Sequence, residues 1–203
     1  MLDTKIILED VKNGALSSKT IDSIKNEIVN ELSQIQRKGI DSLVNYLGTT
    51  DFFTAPASTR FHGNYEGGLA AHSLLVYREF DFLCERYSPD FPKDSRKISA
   101  MLHDVCKIGI YKRNEIKKGK GTELSAAKPY KFEDEFPLGH GEKSLWIVGR
   151  HIDPTEKEAL LIRWHMGRYD PNYELNEDNV KAKCSEIVLL QSADIIVSEM
   201  YNI

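Results

Sequence analysis

The sequence predicts an all-α fold, a helical bundle that carries one small β-hairpin or flap near residues 110–134. Two observations lead to this prediction. Apolar residues recur at steps of three and four over most of the chain, which is the period of an amphipathic helix. Between residues 110 and 134 this period breaks, and aromatic residues flank a polar, lysine-rich stretch that is typical of a hairpin or a mobile flap.

The first fifty residues are predicted to be helical after an ambiguous start. Residues 1–16 fit no single pattern and include a candidate short strand. From Ser18 onward the apolar residues follow a helical period, and Gly39 occupies the place of a helix C-cap. A shorter helix is predicted over Ser42–Leu47, and Gly48 is expected to end it.

Most of the predicted helices lie after a loop that contains glycine and proline, residues 49–68. Asp153 and Pro154 together have the form of a helix start, with Asp153 as the N-cap and Pro154 in the first turn. The polar stretch 171–179 is predicted to be a loop. The predicted helices cover Leu69–Tyr87, Asp94–Lys107, His140–Arg150, Asp153–Gly167 and Val180–Met200.

The chain of 203 residues is predicted to form one domain, because this length supports one large core and would make two full domains cramped. Residues 1–50 are interpreted as an N-terminal helical extension, and residues 51–203 as the core that holds the candidate site. The formal charge of −4 provides no global attraction to nucleic acid or to an anionic membrane. A polynucleotide substrate is therefore disfavoured.

The cysteine content and the apolar runs predict a soluble, cytoplasmic protein. Cys84, Cys106 and Cys184 are odd in number and widely spaced, so neither a disulfide framework nor a cysteine zinc site is indicated. We interpret each as a small buried apolar residue in a reducing compartment. Acidic residues interrupt the N-terminal apolar residues, unlike a signal peptide, and no apolar run reaches the roughly 18 residues of a membrane-spanning helix.

A set of histidines and aspartates predicts a divalent metal site. Its members come from five separate predicted elements, and each lies at a helix end or on an apolar face. Metal sites in helical bundles are built in this way, from side chains that converge from several helices. The candidate ligands are His72, His103, Asp104, His140, His165 and Asp194.

The neighbours of the aspartates strengthen this prediction. The pair His103-Asp104 interrupts the apolar segment Ile98–Ile110, and Asp194 lies between leucine and isoleucine pairs. A carboxylate on a buried surface is costly unless it is paired or binds a metal. Because adjacent helical residues point about 100° apart, the pair can hold one cation from two sides, or Asp104 can bridge to a second.

These residues resemble the signature of the HD superfamily of metal-dependent phosphohydrolases, which is a histidine, a His-Asp doublet and a distant aspartate on a helical bundle. In this sequence the signature falls on His72, His103, Asp104 and Asp194, and the match covers roughly residues 50–200. His140 and His165 resemble the extra histidines of the subset that holds two metal ions. The resemblance implies that Asp104 bridges the ions and that these two histidines bind the second.

The ligand set consists of imidazole nitrogen and carboxylate oxygen, which favours Mn, Fe, Ni, Co or Zn over Ca, and Mg also stays a candidate. The doublet lies in the sequence HDVCK, similar to a family form that places Lys107 beside the metal, and we predict that Lys107 contacts the substrate phosphate. Arg168, just after His165, is the second candidate for that contact. His62, in a glycine-rich loop, is a candidate substrate contact or proton donor to the leaving group.

Three functions follow from these observations. The first is hydrolysis of a phosphate ester of a nucleotide or another small phosphorylated molecule by a metal-activated water. The second is a 3′–5′ exonuclease or phosphodiesterase on RNA or DNA ends, because residues 55–110 resemble the HD domain of bacterial 3′–5′ exoribonucleases. Residues 1–50, however, are predicted as helices in place of the oligonucleotide-binding barrel of those enzymes. The third is a non-catalytic nucleotide sensor, which should have lost metal ligands that this sequence retains.

Overall fold

The computed structural model describes residues 2–119 and 121–203. Within that part of the chain the fold is mostly helical, as the sequence predicts. The α-helices are α1 (Thr4–Lys12), α2 (Ser18–Ser33), α3 (Ile40–Thr49), α4 (Gly68–Tyr87), α5 (Lys93–Leu102), α6 (His140–Gly149), α7 (Glu156–Trp164), α8 (Tyr173–Lys183) and α9 (Ile187–Ile195). The strands are β1 (Tyr111–Arg113), β2 (Glu115–Lys118), β3 (Gly121–Leu124) and β4 (Tyr130–Phe132).

The ambiguous start of the chain is a helix, α1, and not a strand. The Asp3 side chain caps it by accepting a hydrogen bond from the backbone N–H of Lys5. Ile7 is fully buried in the core. The Arg78 guanidinium, on α4, donates to the Leu2 carbonyl and to the hydroxyl of Thr4, and so attaches this helix to the body of the protein.

Gly39 begins a helix, which corrects the prediction that it ends one. The helix α2 already stops at Ser33, and Gly39 is the N-cap of α3 with a left-handed φ of 93°. A Cβ atom at this position would lie 1.9 Å from the His151 carbonyl oxygen. Glycine is therefore required here for close backbone approach as well as for its φ angle. Gly48 also differs from the prediction, because it lies inside α3.

The helix α4 is the centre of the bundle and packs against α2, α5 and α9. Its first ten residues, Gly68–Tyr77, are all buried. A helix that is buried on every side belongs to the interior of a bundle, and its polar residues need specific partners there. His72 is one of these polar residues, so its position in α4 places it deep in the protein.

The helix α5 ends at Leu102, five residues before the predicted end. His103 is its C-cap, Asp104 has φ −109° and ψ 14°, and a short 3₁₀ helix covers Val105–Lys107. The sequence predicts a longer helix because Val105, in the 3₁₀ turn, is still buried in the core, so the apolar period continues past the end of α5. The His-Asp doublet thus lies at a helix end and not within a helix.

The predicted hairpin is present as two small antiparallel sheets along one excursion of the chain. Tyr111 pairs with Phe132 and Arg113 with Tyr130, while β2 and β3 form the outer part. The ring of Tyr130 is buried, whereas every residue of β2 is exposed. The hairpin is therefore anchored at its base and projects into solvent.

The start of α7 differs from the prediction, because its N-cap is Thr155 and not Asp153. Thr155 and Glu158 form a reciprocal capping box, in which each side chain bonds the other residue's backbone N–H. That pair satisfies two free N–H groups at once, whereas an Asp153 cap would satisfy one. The helix ends at Trp164, before the predicted Gly167.

The last part of the chain contains two helices where one was predicted. The stretch 171–179, predicted as a loop, belongs mostly to α8, and the chain breaks at Cys184 with φ −147° before α9 begins. The helix α9 then passes into a π-helical turn over Ile196–Tyr201. The prediction failed because α8 buries few residues, chiefly Tyr173 and Val180, and so lacks a clear apolar period.

A fully buried carboxylate joins three parts of the bundle. Glu158, on α7, accepts two hydrogen bonds from the Arg37 guanidinium at 2.6 and 2.9 Å and one from the Ser95 hydroxyl at 2.6 Å. The backbone N–H of Thr155 donates a fourth, at 2.9 Å. The burial of Glu158 is therefore offset by a complete set of donors that includes one opposite charge.

No helix among residues 2–119 and 121–203 is both long enough and apolar enough to cross a membrane.

We predict that Arg37→Met lowers the free energy of unfolding by about 3 kcal/mol at pH 7, because it leaves a buried charge without its partner. Hydrogen bonding to Arg37 and Ser95 outweighs burial and lowers the pKa of Glu158. The ion pair therefore stabilises fully above the unfolded-state pKa of about 4.3 and is lost as the pH falls through the lower folded-state pKa. Urea unfolding at pH 7 and at lower pH measures both effects.

The control for that experiment is Lys181→Met, which removes an exposed i,i+4 pair with Glu177. Exposed pairs contribute little, so this variant should unfold like the wild type. An Arg37→Met protein with an unchanged unfolding midpoint at pH 7 would show that the pair is not needed for stability.

Candidate metal centre

The structure brings together all six candidate ligands in one buried cluster. They come from separate parts of the chain, and the deepest members are less than 3% exposed. His72 lies in α4, His103 and Asp104 at the end of α5, His140 at the start of α6, His165 at the end of α7, and Asp194 in α9.

The rings of His72 and His103 face each other with their Nε2 atoms 3.2 Å apart. The Nδ1 atom of His72 lies 2.9 Å from the Ile203 carbonyl oxygen, and that of His103 lies 2.7 Å from the Ala100 carbonyl oxygen. A carbonyl oxygen only accepts, so each Nδ1 donates a hydrogen bond and Nε2 is the nitrogen that each ring turns towards the other. Two ring nitrogens this close need a proton or a metal ion beside them.

His103 and His165 are held by the same local device. Each is the C-cap residue of its helix, and each Nδ1 bonds the carbonyl oxygen three residues earlier, Ala100 for one and Ile162 for the other. The last carbonyls of a helix lack backbone partners, so the ring satisfies one of them. The result is that two helix ends direct an Nε2 atom into the cluster.

Asp104 lies at the centre of the cluster, and its two carboxylate oxygens face different histidines. Oδ2 lies 3.4 Å from Nε2 of His103 and 3.6 Å from Nε2 of His72. Oδ1 lies 2.6 Å from Nε2 of His140 and 3.5 Å from Nε2 of His165. Asp194 completes the first group, with Oδ1 at 3.2 Å from Nε2 of His72.

The Nε2 atom of His165 is buried and has no hydrogen-bond partner among the described residues. An unpaired buried nitrogen is costly, and four ring nitrogens around one carboxylate suit a cation better than they suit one another. Donor atoms about 2.1 Å from a metal ion lie about 3 Å apart, close to the separations within the cluster. The donor set therefore fits a divalent metal, and the cluster could hold one.

The charges around Asp104 keep it ionised. Burial by itself would raise the pKa of Asp104, but the Lys107 ammonium and the His103 ring outweigh it and hold that pKa well below its usual range. Burial likewise would raise the pKa of Asp194, and its contact with His72 lowers it instead. Both carboxylates are thus anionic near neutral pH, the form that binds a metal ion.

One side of the cluster is open to solvent. The side chain of His140 is 31% exposed and that of Asp194 is 20% exposed, whereas the His72 and His165 side chains are essentially inaccessible. Because these two side chains are the exposed ones, a ligand would approach the cluster past His140 and Asp194. Burial would lower the pKa of His140, but its contacts with Cys106 and Asp104 raise it to about 10.

His62 lies at this opening. Its ring stacks on that of His72, with centroids 5.4 Å apart, and its Nε2 lies 3.5 Å from the Ser198 hydroxyl. Ser198 in turn donates to Asp194. Burial, with the charges of His72 and Lys107, lowers the pKa of His62 to about 4. The ring is thus neutral at pH 7, and its role as a substrate contact or proton donor stays a prediction.

The two candidate phosphate contacts lie in different surroundings. The Lys107 ammonium is 2.6 Å from Oδ2 of Asp104 and is mostly buried, so it belongs to the cluster. Asp104 outweighs burial and raises the pKa of Lys107. Arg168 is exposed on the short helix after His165. The hydrogen bond with Lys181 lowers the pKa of Glu177, and the nearby charge of Arg168 adds to that effect. No hydrogen bond or ion pair joins Arg168 to the cluster within the part of the chain that the structure describes.

Cys106 is the residue at this site that the sequence prediction missed. It is buried, as predicted, but its Sγ lies 3.4 Å from Nδ1 and 3.5 Å from Nε2 of His140. Its sulfur, Asp104 and His140 form one of the groups that could hold a metal ion. The sequence feature that could have identified Cys106 is its position two residues after Asp104, in the same turn of the chain.

Comparison with known proteins gives a distant similarity. The chain is 29% identical over 129 residues to a dihydroneopterin 2′,3′-cyclic phosphate phosphodiesterase from Methanocaldococcus jannaschii, and the match covers 54% of this chain. It covers 49% of the relative, so the chain spans about half the length of the curated protein it matches. No family model matches the chain, and no solved structure matches it.

Proposed function

We propose that this chain is a metal-dependent phosphohydrolase that cleaves a phosphate ester of a nucleotide or a related small phosphorylated molecule. One observation carries the proposal: the two oxygens of a single buried aspartate, Asp104, face two separate groups of histidine Nε2 atoms. A carboxylate in this arrangement can bridge two cations, which is the basis of two-metal phosphate chemistry.

Each group has enough donors to hold one ion. The first group is His72, His103, Asp194 and Oδ2 of Asp104, and the second is His140, His165 and Oδ1 of Asp104. Nitrogen and carboxylate donors suit Mn, Fe, Co, Ni or Zn, and they leave Mg as a weaker candidate. A bound pair of ions would supply a water made nucleophilic at neutral pH and would neutralise charge on the phosphoryl oxygens.

The protein side chains contribute position and charge. Asp104 and Asp194 stay ionised and fix the centre, while the carbonyl-bonded rings of His72, His103 and His165 cannot turn away from it. Lys107 holds a positive charge beside Asp104, within reach of a phosphoryl oxygen that approaches the centre. His62, neutral at the opening, is available to accept a hydrogen bond from the substrate.

A small substrate with a phosphodiester bond is the favoured class. The relative is by name a phosphodiesterase of a cyclic phosphate on a small molecule, which supports this choice. The net charge of −4 also favours a small substrate over a polynucleotide. A nucleotide sensor is disfavoured because all six candidate ligands are retained in one cluster.

An exonuclease is the second candidate, and the hairpin is the observation that favours it. The strands β1, β2 and β4 carry exposed Lys112, Lys117, Lys118 and Lys131. The hairpin begins beside the cluster: burial raises the pKa of Tyr111, and the nearby charge of Lys107 opposes that shift. A basic arm near the opening could bind a phosphate backbone, and such binding weakens with salt.

We predict that the wild-type protein, stripped of metal and reloaded with Mn²⁺ or Zn²⁺, holds two ions per chain. His165→Ala should retain one, because His165 belongs to the second group alone, and Asp104→Asn should lose both. Plasma mass spectrometry after gel filtration measures the ratio. His151→Ala is the matched control, because that histidine bonds Ser42 away from the cluster. Equal metal content in the wild type and His165→Ala would contradict the two-group interpretation.

We predict that the reloaded protein hydrolyses small phosphodiesters, and that Asp104→Asn reduces the rate to that of the uncatalysed reaction. The test compares bis-p-nitrophenyl phosphate, 2′,3′-cyclic mononucleotides, 5′-mononucleotides and a short end-labelled RNA at two salt concentrations. Greater kcat/KM for the small diesters supports the first candidate. Faster, salt-sensitive shortening of the RNA supports the exonuclease, and no turnover of any compound by metal-loaded protein contradicts both.

We predict that Lys107→Met lowers kcat/KM about tenfold to a hundredfold while the metal content stays at the wild-type value. The reason is that a charged hydrogen bond to phosphate contributes about 1.5–3 kcal/mol, which corresponds to that factor. Lys107→Arg, which keeps the charge, should recover part of the rate. If Lys107→Met instead loses metal and keeps its rate per bound metal, the lysine only supports Asp104.

A further inference from the structure

The four histidines of the cluster differ in how the second ring nitrogen is bound. In His72, His103 and His165 the Nδ1 atom donates to a backbone carbonyl oxygen, at 2.9, 2.7 and 2.8 Å. The ring of His140 instead lies beside the sulfur of Cys106, which is 3.4 Å from Nδ1 and 3.5 Å from Nε2. Because Nε2 also has the Asp104 carboxylate at 2.6 Å, Nδ1 is the nitrogen that has the sulfur as its hydrogen-bond partner. Among the hydrogen bonds of the described residues, no carbonyl oxygen accepts from this ring.

Cys106 is itself held in place by the helix that carries His140. Its backbone N–H donates to the Ser144 hydroxyl at 3.2 Å, and Ser144 lies four residues after His140 on α6. Residues four apart share one face of a helix, so α6 contacts both the backbone and the sulfur of Cys106 from the same side. The cysteine is only 2% exposed and has no disulfide partner in the described chain.

We propose that Cys106 is a positioning residue for His140: its sulfur accepts from Nδ1 and keeps Nε2 directed at Oδ1 of Asp104. This inference rests on the proposed metal centre. A second observation points to a ligand at the same oxygen, since the buried Nε2 atom of His165 lies 3.5 Å from Oδ1 and lacks a hydrogen-bond partner. A histidine that binds a metal through one ring nitrogen generally has a hydrogen-bond partner on the other nitrogen, which fixes the orientation and the tautomer of the ring. For His140 that partner is the sulfur of Cys106.

The sulfur makes the second group the weaker of the two. Sulfur is a poorer acceptor than a carbonyl oxygen, and His140 is also the most exposed of the four rings. The ring of His140 is therefore held less firmly than the other three. We expect the ion between His140 and His165 to dissociate first when a chelator is added.

The experiment titrates Zn²⁺ into the metal-free full chain against a chromophoric chelator, for the wild type and three variants. Cys106→Ala should weaken the second ion by about 10- to 100-fold and leave the first unchanged, the usual effect of losing such a partner. Cys106→Ser should restore most of the affinity, because its hydroxyl can accept from Nδ1. Cys84→Ala is the matched control, a buried cysteine twelve residues from His72 on α4.

Substitution with Co²⁺ separates positioning from direct ligation. We expect no sulfur-to-cobalt charge-transfer band in the wild type. Such a band, together with a Cys106→Ser variant as weak as Cys106→Ala, would make the sulfur a ligand and overturn the positioning role. If Cys106→Ala fails to fold without metal, Cys106→Val, which fills the space but offers no acceptor, takes its place.

The outcomes also distinguish this inference from the proposed function. Two ions of unchanged affinity in Cys106→Ala would overturn the role of the sulfur alone. A wild-type chain that binds no metal would overturn the proposed function, and the inference with it.

Discussion

The burial of one ionised carboxylate, that of Asp104, is the constraint on which the site depends. An isolated buried carboxylate is far too costly to persist, so its surroundings must supply compensating charge or donors. Here the compensation comes from Lys107 at 2.6 Å and from four histidine rings on four different helices or helix ends. Those elements must all approach a single point, which ties the geometry of the bundle to that of the site.

The orientation of the rings follows from backbone geometry as much as from side-chain chemistry. Two of them use the free carbonyls at the ends of α5 and α7, and a third uses the Ile203 carbonyl beyond the π-helical turn. A π turn shifts the register of the following residues, and such turns are common at functional sites. In this protein the turn begins two residues after Asp194 and carries Ser198, which contacts both Asp194 and His62.

The contrast between Glu158 and Asp104 shows how similar burial serves two purposes. Glu158 has four hydrogen bonds from Arg37, Ser95 and Thr155, so its lone pairs are used and nothing further can bind. Asp104 has close contacts at 2.6 Å from Lys107 and His140. The other three histidine nitrogens lie 3.4–3.6 Å away, beyond good hydrogen bonds, and one of them has no partner. The first arrangement stabilises the fold, and the second keeps donor atoms available for a cation.

The sequence by itself determined the helical class, the hairpin and the six candidate ligands of the cluster. This was possible because apolar periodicity is local and because polar residues such as Asp104 and Asp194 stand out in apolar segments. It could not determine the helix α8, the role of Gly39 or the cap at Thr155, since a helix with little buried surface has weak periodicity and a cap depends on which N–H groups remain free.

Only the tertiary structure decided which oxygen of Asp104 faces which ring and which group holds each ring in place. The nitrogen partners of the histidines come from residues 3 to 131 positions away along the chain. Cys106 is the clearest case, because by sequence it is another small buried residue. Its contact with His140 exists only because α6 packs across the turn that follows the His-Asp doublet.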